Sequence, residues 1–272
     1  MNILGFIDDP PRVGSLNMAI DDLLARVNFW PEVTSLMRLY RWQVPTLSCG
    51  YNQKLASRVD VENCRKYGVG LARRPTGGRE LLHDSDLSFS LISYGQVEGE
   101  SSIKTAREFF FKAGEVLVET LKLMGIETTV GTGALKHRNG APAPCLASTA
   151  RYEISSRGRK LIPMAQRLYG DSILIHGSIQ LITSRIPTAS LMMTGDTAKM
   201  QALIDRSSVN VQSLTGKEIR HESLVDSLRS SYQAVFGGRI RELEIEPGIL
   251  KAAEEKANNW QIKLTGKFKD EM

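Results

Sequence analysis

The amino-acid sequence predicts an α+β fold with a mixed β-sheet and packed helices. Strand-like and helix-like segments do not alternate strictly, two stretches are rich in β-type patterning, and the last third reads as helices. The chain has 272 residues, enough for one large domain or for a domain with a small appendage.

The elements follow in order. Residues 15–27 (SLNMAIDDLLARV) place Leu16, Ile20, Leu23, Leu24 and Val27 on one helical face. Residues 35–51 read as two short strands broken at Val44-Pro45, since proline cannot donate to a sheet ladder. Asp60 reads as the N-cap and Gly68 as the stop of a short helix. VGLARR, a PTGG turn, RELLHD and DLSFSLIS then make a β-rich stretch in which Leu87, Phe89 and Leu91 alternate. Residues 102–124 form the clearest helix. Ser102 caps it, Ile103, Ala106, Phe110, Ala113, Leu117, Leu121 and Met124 share a face, and Gly125 ends it. A strand at ETTVG, a loop rich in Pro, Gly and Ala to residue 144, and strands at RYEIS, RKLIPMAQR and SILIHGSIQLI follow. Helices are expected at about 189–204, 219–235 and 247–258.

Composition narrows the function classes. With 42% hydrophobic and 24% charged residues, the chain has the balance of a globular protein rather than a disordered or fibrous one. No apolar run approaches the roughly 18 to 20 residues a membrane span needs, and the N-terminus turns acidic too early for a signal peptide. Cys49, Cys64 and Cys145 form neither a CxxC pair nor a metal-like cluster with the four histidines, which argues against a metal site or disulfides and for the cytoplasm. The net charge of +5 is either a solvated surface or an attraction for acidic partners. No nucleic-acid-binding motif accompanies it, so neither nucleic acid nor a membrane is expected as a partner.

Three segments hold chemistry-bearing residues. In Arg73-Arg74-Pro75-Thr76-Gly77-Gly78-Arg79, followed by His83-Asp84, the paired glycines are either a plain hairpin turn or a place where backbone N–H groups meet a ligand. Cys49 and Cys64 sit in apolar patterns and read as small buried hydrophobes, whereas Cys145 follows a loop of prolines and glycines where a thiol is accessible. Arg157-Gly158-Arg159-Lys160-Leu161, leading to Ala165-Gln166 and His176-Gly177-Ser178, is either a solvated hairpin tip or the start of a strand carrying Lys160 inward. A partly desolvated lysine beside Cys145 favours the thiolate, which is the nucleophilic form.

Taken together, NMAID (17–21), RLYRWQVPTLSCGYNQ (38–53), RRPTGGRELLHD (73–84) and CLASTARYEISSRGRKLIPMAQRLYGDSILIHGSI (145–179) resemble the lipoate–protein ligase and octanoyltransferase superfamily, from about residue 5 to Trp260. The likeness is closest to its cysteine-dependent octanoyltransferases, which carry a cysteine fifteen residues before the motif lysine, the separation of Cys145 from Lys160. The resemblance implies one catalytic domain over 1–272 of the biotin/lipoate protein ligase type, with an active-site core over 1–185 and a helical part over 186–272. It implies an octanoyl group taken from acyl carrier protein as a Cys145 thioester and passed to a lysine of a lipoyl domain or glycine-cleavage H protein. Lys160 would lower the thiol pKa and bond the acyl carbonyl. Arg74, Gly77, Gly78 and His83 would line the pocket, with Ala165 in the strand beyond and His176-Gly177 closing the far side.

No cofactor is expected and the protein is read as a monomer. ATP and magnesium would enter only for an ATP-dependent lipoate ligase, the nearest competing reading. A lipoyl amidotransferase and an inactive lipoyl-domain binder are the others. In one place the sequence departs from the family pattern: Pro163 and Met164 stand where small residues are usual, which alters the pocket wall.

Overall fold

The computed structural model describes residues 2–95, 101–130, 144–147 and 153–264, with the side chains of 101–104 outside the description. Strands are β1 (Ile3–Asp8), β2 (Val33–Tyr40), β3 (Thr46–Cys49), β4 (Gly70–Arg73), β5 (Leu81–His83), β6 (Asp86–Tyr94), β7 (Thr129–Val130), β8 (Ile154–Ser156), β9 (Arg159–Ile162), β10 (Met164–Leu168), β11 (Ser172–Gln180) and β12 (Arg239–Glu242). Helices are α1 (Gly14–Arg26), α2 (Val61–Lys66), α3 (Ser101–Leu123), α4 (Thr197–Ser207), α5 (Val211–Thr215), α6 (His221–Phe236) and α7 (Pro247–Ala257). The expected α+β class with a mixed sheet is what the chain adopts.

The main sheet runs β10-β11-β6-β2-β1-β12, with β1 parallel to both β2 and β12 and the other pairs antiparallel. Period-two alternation divides its faces. Phe6, Met37, Leu39, Leu87, Phe89, Leu91, Ile173 and Ile175 are buried against α3 and α6. On the other face Ile7, Leu36, Ile92 and Leu174 meet α1 and α7. That second face is not apolar throughout. Arg38, Ser88, Ser90, His176 and Ser178, all buried, share its parity and open a polar patch.

Several expectations are refined. The predicted strand RKLIPMAQR is two strands in different sheets: β9 belongs to a three-stranded sheet β7-β8-β9, and β10 to the main one. Pro163 causes the switch, because it has no N–H to continue a ladder; its carbonyl accepts the Ser178 N–H instead. PTGG is not a hairpin turn either. The strands around it do not pair with each other; both flank β3, parallel on the β4 side and antiparallel on the β5 side. The C-terminal part is helical as expected but adds the edge strand β12, and α4 starts later than predicted, after a 3-10 turn at Thr188–Leu191. Val27, expected on the core face of α1, is an exposed C-cap. The proposed Ser102 cap and the loop over 131–143 lie outside the described side chains and residues.

Candidate active site

The polar patch faces a cavity of about 1040 Å³, large for a small-molecule site. Its walls come from the main sheet, both small sheets and α4. Met18, Leu81, Leu146, Met164 and Leu203 supply apolar surface.

Cys145 stands on this wall, half-buried, at the start of a 3-10 turn. The turn is held at both ends of the residue. The Cys145 N–H donates to the Glu80 carbonyl at 3.1 Å, and Lys160 Nζ donates to the Cys145 carbonyl at 2.6 Å. Glu80 is itself fully buried and ion-paired to Arg58 at 2.5 Å. Lys160 is 4% exposed and pairs with Glu153 Oε1 at 2.5 Å. Both sequence readings of the basic segment therefore hold at once. Arg157 and Gly158 form a two-residue hairpin tip with φ of 50° and 72°, and β9 carries Lys160 inward from it. Cys49 and Cys64 are buried, as expected, and burial pushes both thiols up to about 12. They are proton-bound and inert at neutral pH.

The Arg-Pro-Thr-Gly-Gly loop is built around one guanidinium. Arg74 donates to the carbonyls of Gly77, Arg79 and Ser48 and to Ser48 Oγ. Burial lowers its pKa, opposed first by the charge of Cys145, which places the two side chains in one electrostatic neighbourhood. Glycine is required where backbones touch. A Cβ on Gly50 would lie 2.1 Å from the Gly78 carbonyl oxygen, and Gly78 itself has φ of 101°. Gly78 reaches the cavity wall, but Gly77 is exposed outside it.

Two histidines complete the polar floor. His83 Nδ1 lies 2.7 Å from Asp86 Oδ2 and its Nε2 lies 2.8 Å from Ser48 Oγ, with Trp42 stacked on the ring at 4.1 Å. Burial raises the Asp86 pKa, but His83, Ser178 and Ser88 outweigh it and leave the carboxyl below its usual value. The Asp86 carboxylate accepts from His83 Nδ1, and Ser48 Oγ, which faces His83 Nε2, accepts from Arg74. His176 Nδ1 lies 3.2 Å from Thr76 Oγ1, and its Nε2 is 3.0 Å from Asp21 Oδ2. The other Asp21 oxygen, Oδ1, accepts from Arg38 at 2.7 Å and from Ser90 at 2.8 Å. Burial alone would raise its pKa; Arg38 and His176 reverse that and hold it at about 2. Gly177 matters for packing, because a Cβ there would strike the Phe89 ring at 2.1 Å.

Of the predicted residues, Cys145, Lys160, Arg74, Gly78, His83, Ala165, His176 and Gly177 share the cavity wall, joined by Pro163 and Met164. Gly77 does not. Sequence reasoning missed Glu153, Ser48, Thr76 and the α4 wall. Asp84, next to His83 in the sequence, accepts from Ser184 and Ser85, and Asp86, which sequence reasoning did not single out, is the partner of His83. The signal for Asp86 was the alternation in DLSFSLIS, whose polar positions 86, 88 and 90 point to one side. NMAID carries both α1 partners of Arg38, Asn17 and Asp21. Among the described residues no cluster of His, Cys, Asp and Glu is arranged to hold a metal, and no helix is long and apolar enough to cross a membrane.

Residues 14–233 match the family described as Lipoyl protein ligase A/B catalytic domain. The chain is 38% identical over 174 residues to the octanoyltransferase LipM of Carboxydothermus hydrogenoformans, covering 64% of this chain and 63% of that protein. That match spans less than two thirds of the relative's length. Against the octanoyltransferase LipM of Kyrpidia tusciae the identity is 30% over 249 residues, covering 89% and 88%. A bipartite lipoate protein ligase from Thermoplasma acidophilum has the same fold, with a TM-score of 0.75 at 19% identity, covering 95% of this chain and 93% of that one.

Proposed function

The chain belongs to the Lipoyl protein ligase A/B catalytic domain family, and from that premise we propose that it is an octanoyltransferase of lipoate biosynthesis working through Cys145. The observation that carries the reading is one half-buried thiol on the wall of a mixed polar and apolar cavity, held at both backbone ends and close to Arg74, while the other two thiols are buried. The likeness to octanoyltransferases supports the acyl chemistry.

The reaction has two balanced steps. The Cys145 thiolate attacks the carbonyl carbon of an octanoyl thioester on acyl carrier protein; the new C–S bond forms, the old one breaks, and the carrier leaves as a thiol after taking a proton. A lysine amine of a lipoyl domain or glycine-cleavage H protein then attacks the Cys145 thioester. The C–N bond forms, the C–S bond breaks, and the amine proton returns to the Cys145 sulfur. Thioester exchange is nearly thermoneutral and amide formation is downhill, so neither ATP nor magnesium is needed. Burying about seven methylene or methyl groups of the acyl chain contributes roughly 6 kcal/mol at about 0.8 kcal/mol each. That holds the intermediate while carriers exchange.

Lys160 acts here mainly as a clamp. Its ammonium bonds the Cys145 carbonyl and pairs with Glu153, which fixes the turn that carries the thiol. A free catalytic thiol suits the reducing cytoplasm.

Intact-mass measurement after incubation with octanoyl carrier protein, with and without ATP and magnesium, tests the proposal. One octanoyl adduct is expected in both conditions and none in Cys145→Ala; a lipoyl domain should then discharge it. Acceptor modified only by free octanoate or lipoate with ATP would replace the transferase by a ligase, and an adduct persisting in Cys145→Ala would remove Cys145 from the mechanism.

A further inference from the structure

The charges around the cavity are not balanced. Among the described residues five cationic side chains line it, Arg74, Arg79, Lys160, Lys199 and Arg206, against two acidic ones, Glu153 and Asp196. Deep inside the imbalance is largely consumed, because Lys160 pairs with Glu153 and Arg74 is occupied by backbone carbonyls. At the mouth it is not. Lys199 and Arg206 are exposed there, beside the Asp196 carboxylate that caps α4.

Lys199 and Arg206 lie on one side of α4, seven residues apart, with the half-buried Met200 and Leu203 between them. At a rise of about 1.5 Å per residue the two charges stand roughly 10 Å apart along the helix, comparable to the Debye length at 0.1 M salt, so they act on an approaching ion together. Among the described residues no carboxylate lies within ion-pair distance of either side chain. Helical stripes that serve only solubility mix their signs, whereas here, beyond the Asp196 cap whose carboxylate accepts the Lys199 N–H, the side turned to the cavity carries Lys199 and Arg206 with Met200 and Leu203 between them.

We propose that this stripe of α4 docks the acyl donor, an acidic carrier protein presenting its acyl group on a phosphate-bearing arm. The proposal rests on the acyltransferase reading above and goes on to say which of the two protein substrates the rim selects. Charge decides. Both carriers expected from that reading are acidic proteins, but their reacting ends differ: the donor's arm carries an anionic phosphodiester, while the acceptor brings a lysine ammonium. A cationic mouth attracts the first and repels the second. The apolar centre of the stripe then leads the acyl chain past Leu203 toward Cys145 on the same wall.

The test compares two octanoyl donors on the full chain: octanoyl carrier protein, and the neutral octanoyl thioester of N-acetylcysteamine, which lacks both phosphate and protein. In K199E/R206E, acylation of Cys145 by the carrier protein should fall on the order of tenfold or more at low salt. The gap to the native chain should close as salt approaches 1 M, where the Debye length is about 3 Å. The neutral donor should lose at most about twofold. The uncharged pair K199Q/R206Q should fall between, which excludes a folding defect peculiar to the reversed charges. An equal loss with both donors would make the stripe a mere wall of the cavity and overturn the proposal, as would no loss with either. If neither donor acylates the native chain, the transferase reading itself fails and takes the docking role with it.

Discussion

His83 and His176 stand on the same cavity wall, each between a buried aspartate and a hydroxyl, yet they are anchored in opposite ways. His83 turns Nδ1 to Asp86 and Nε2 to Ser48; His176 turns Nε2 to Asp21 and Nδ1 to Thr76. Both chains converge on the Arg-Pro-Thr-Gly-Gly loop, the first through Ser48 to Arg74, the second through Thr76 within the loop. The aspartates differ most. Besides its histidine, Asp86 meets the hydroxyls of Ser88 and Ser178, whereas Asp21 is wedged against the fully buried Arg38, which also holds Asp9 and Asn17. One arrangement is a local orienting device, the other is tied to the charge core that joins α1 to the sheet. A ligand-facing loop is thus braced once by geometry and once by stability.

Replacing the aspartates should break the symmetry. Asp21→Asn leaves the buried Arg38 short of a counter-charge and is expected to cost about 3–5 kcal/mol, read from the midpoint of urea unfolding. The same residue sets an acid signature. Its folded pKa of about 2 lies below that of the unfolded chain, so its contribution is complete above roughly pH 4 and disappears as pH falls through about 2. The native chain should lose stability across that window, and Asp21→Asn should lose less of it there. Equal acid profiles would show that Arg38 is satisfied without Asp21.

A smaller effect separates the two hydroxyls. Ser48→Ala deprives both His83 and Arg74 of a partner, Thr76→Val only His176. The first should cost about 1–3 kcal/mol, the second about 1 kcal/mol. Ser48→Ala should also slow Cys145 acylation more than it destabilises the fold, because Arg74 loses its bearing. Equal losses in both variants would dissolve the distinction. The finest test moves no stability at all: where the rings are neutral, ring-nitrogen NMR shifts should show the proton on Nδ1 of His83, which faces Asp86, and on Nε2 of His176, which faces Asp21. A shared tautomer would contradict the opposite anchoring of the two rings.

Much of this arrangement was legible in the chain. Pro45, Asp60 and Gly125 mark real boundaries, because proline, a capping carboxylate and a helix-ending glycine act locally. Cys145 and Lys160 were readable through their separation and through a loop-to-strand transition that the hairpin at Arg157-Gly158 realises. What stayed hidden depends on contacts across the fold. PTGG looked like a hairpin because its two strands are near in sequence, and only the insertion of β3 between them shows otherwise. Asp86 is legible as a polar position of the alternating DLSFSLIS run but not as the partner of His83, which only the fold brings to it. Glu153 carries no local pattern; it becomes meaningful only when β9 delivers Lys160 to it.

The small sheet that presents Ser48 and His83 is finished by distant chain. Arg73 N–H donates to the Trp260 carbonyl, Ile262 N–H to the Leu71 carbonyl, and Gln261 bridges to Ala72, so the segment after α7 closes the open edge of β4. At ribosomal speeds of about 5–20 residues per second, roughly 10 to 40 s pass between the synthesis of that edge and the arrival of its cover. For that interval the nascent polypeptide displays an unpaired strand, the kind of edge that recruits other chains. Birth order therefore leaves this wall of the cavity to be sealed last, and a truncation that stops short of Trp260 would keep the newborn edge exposed for good.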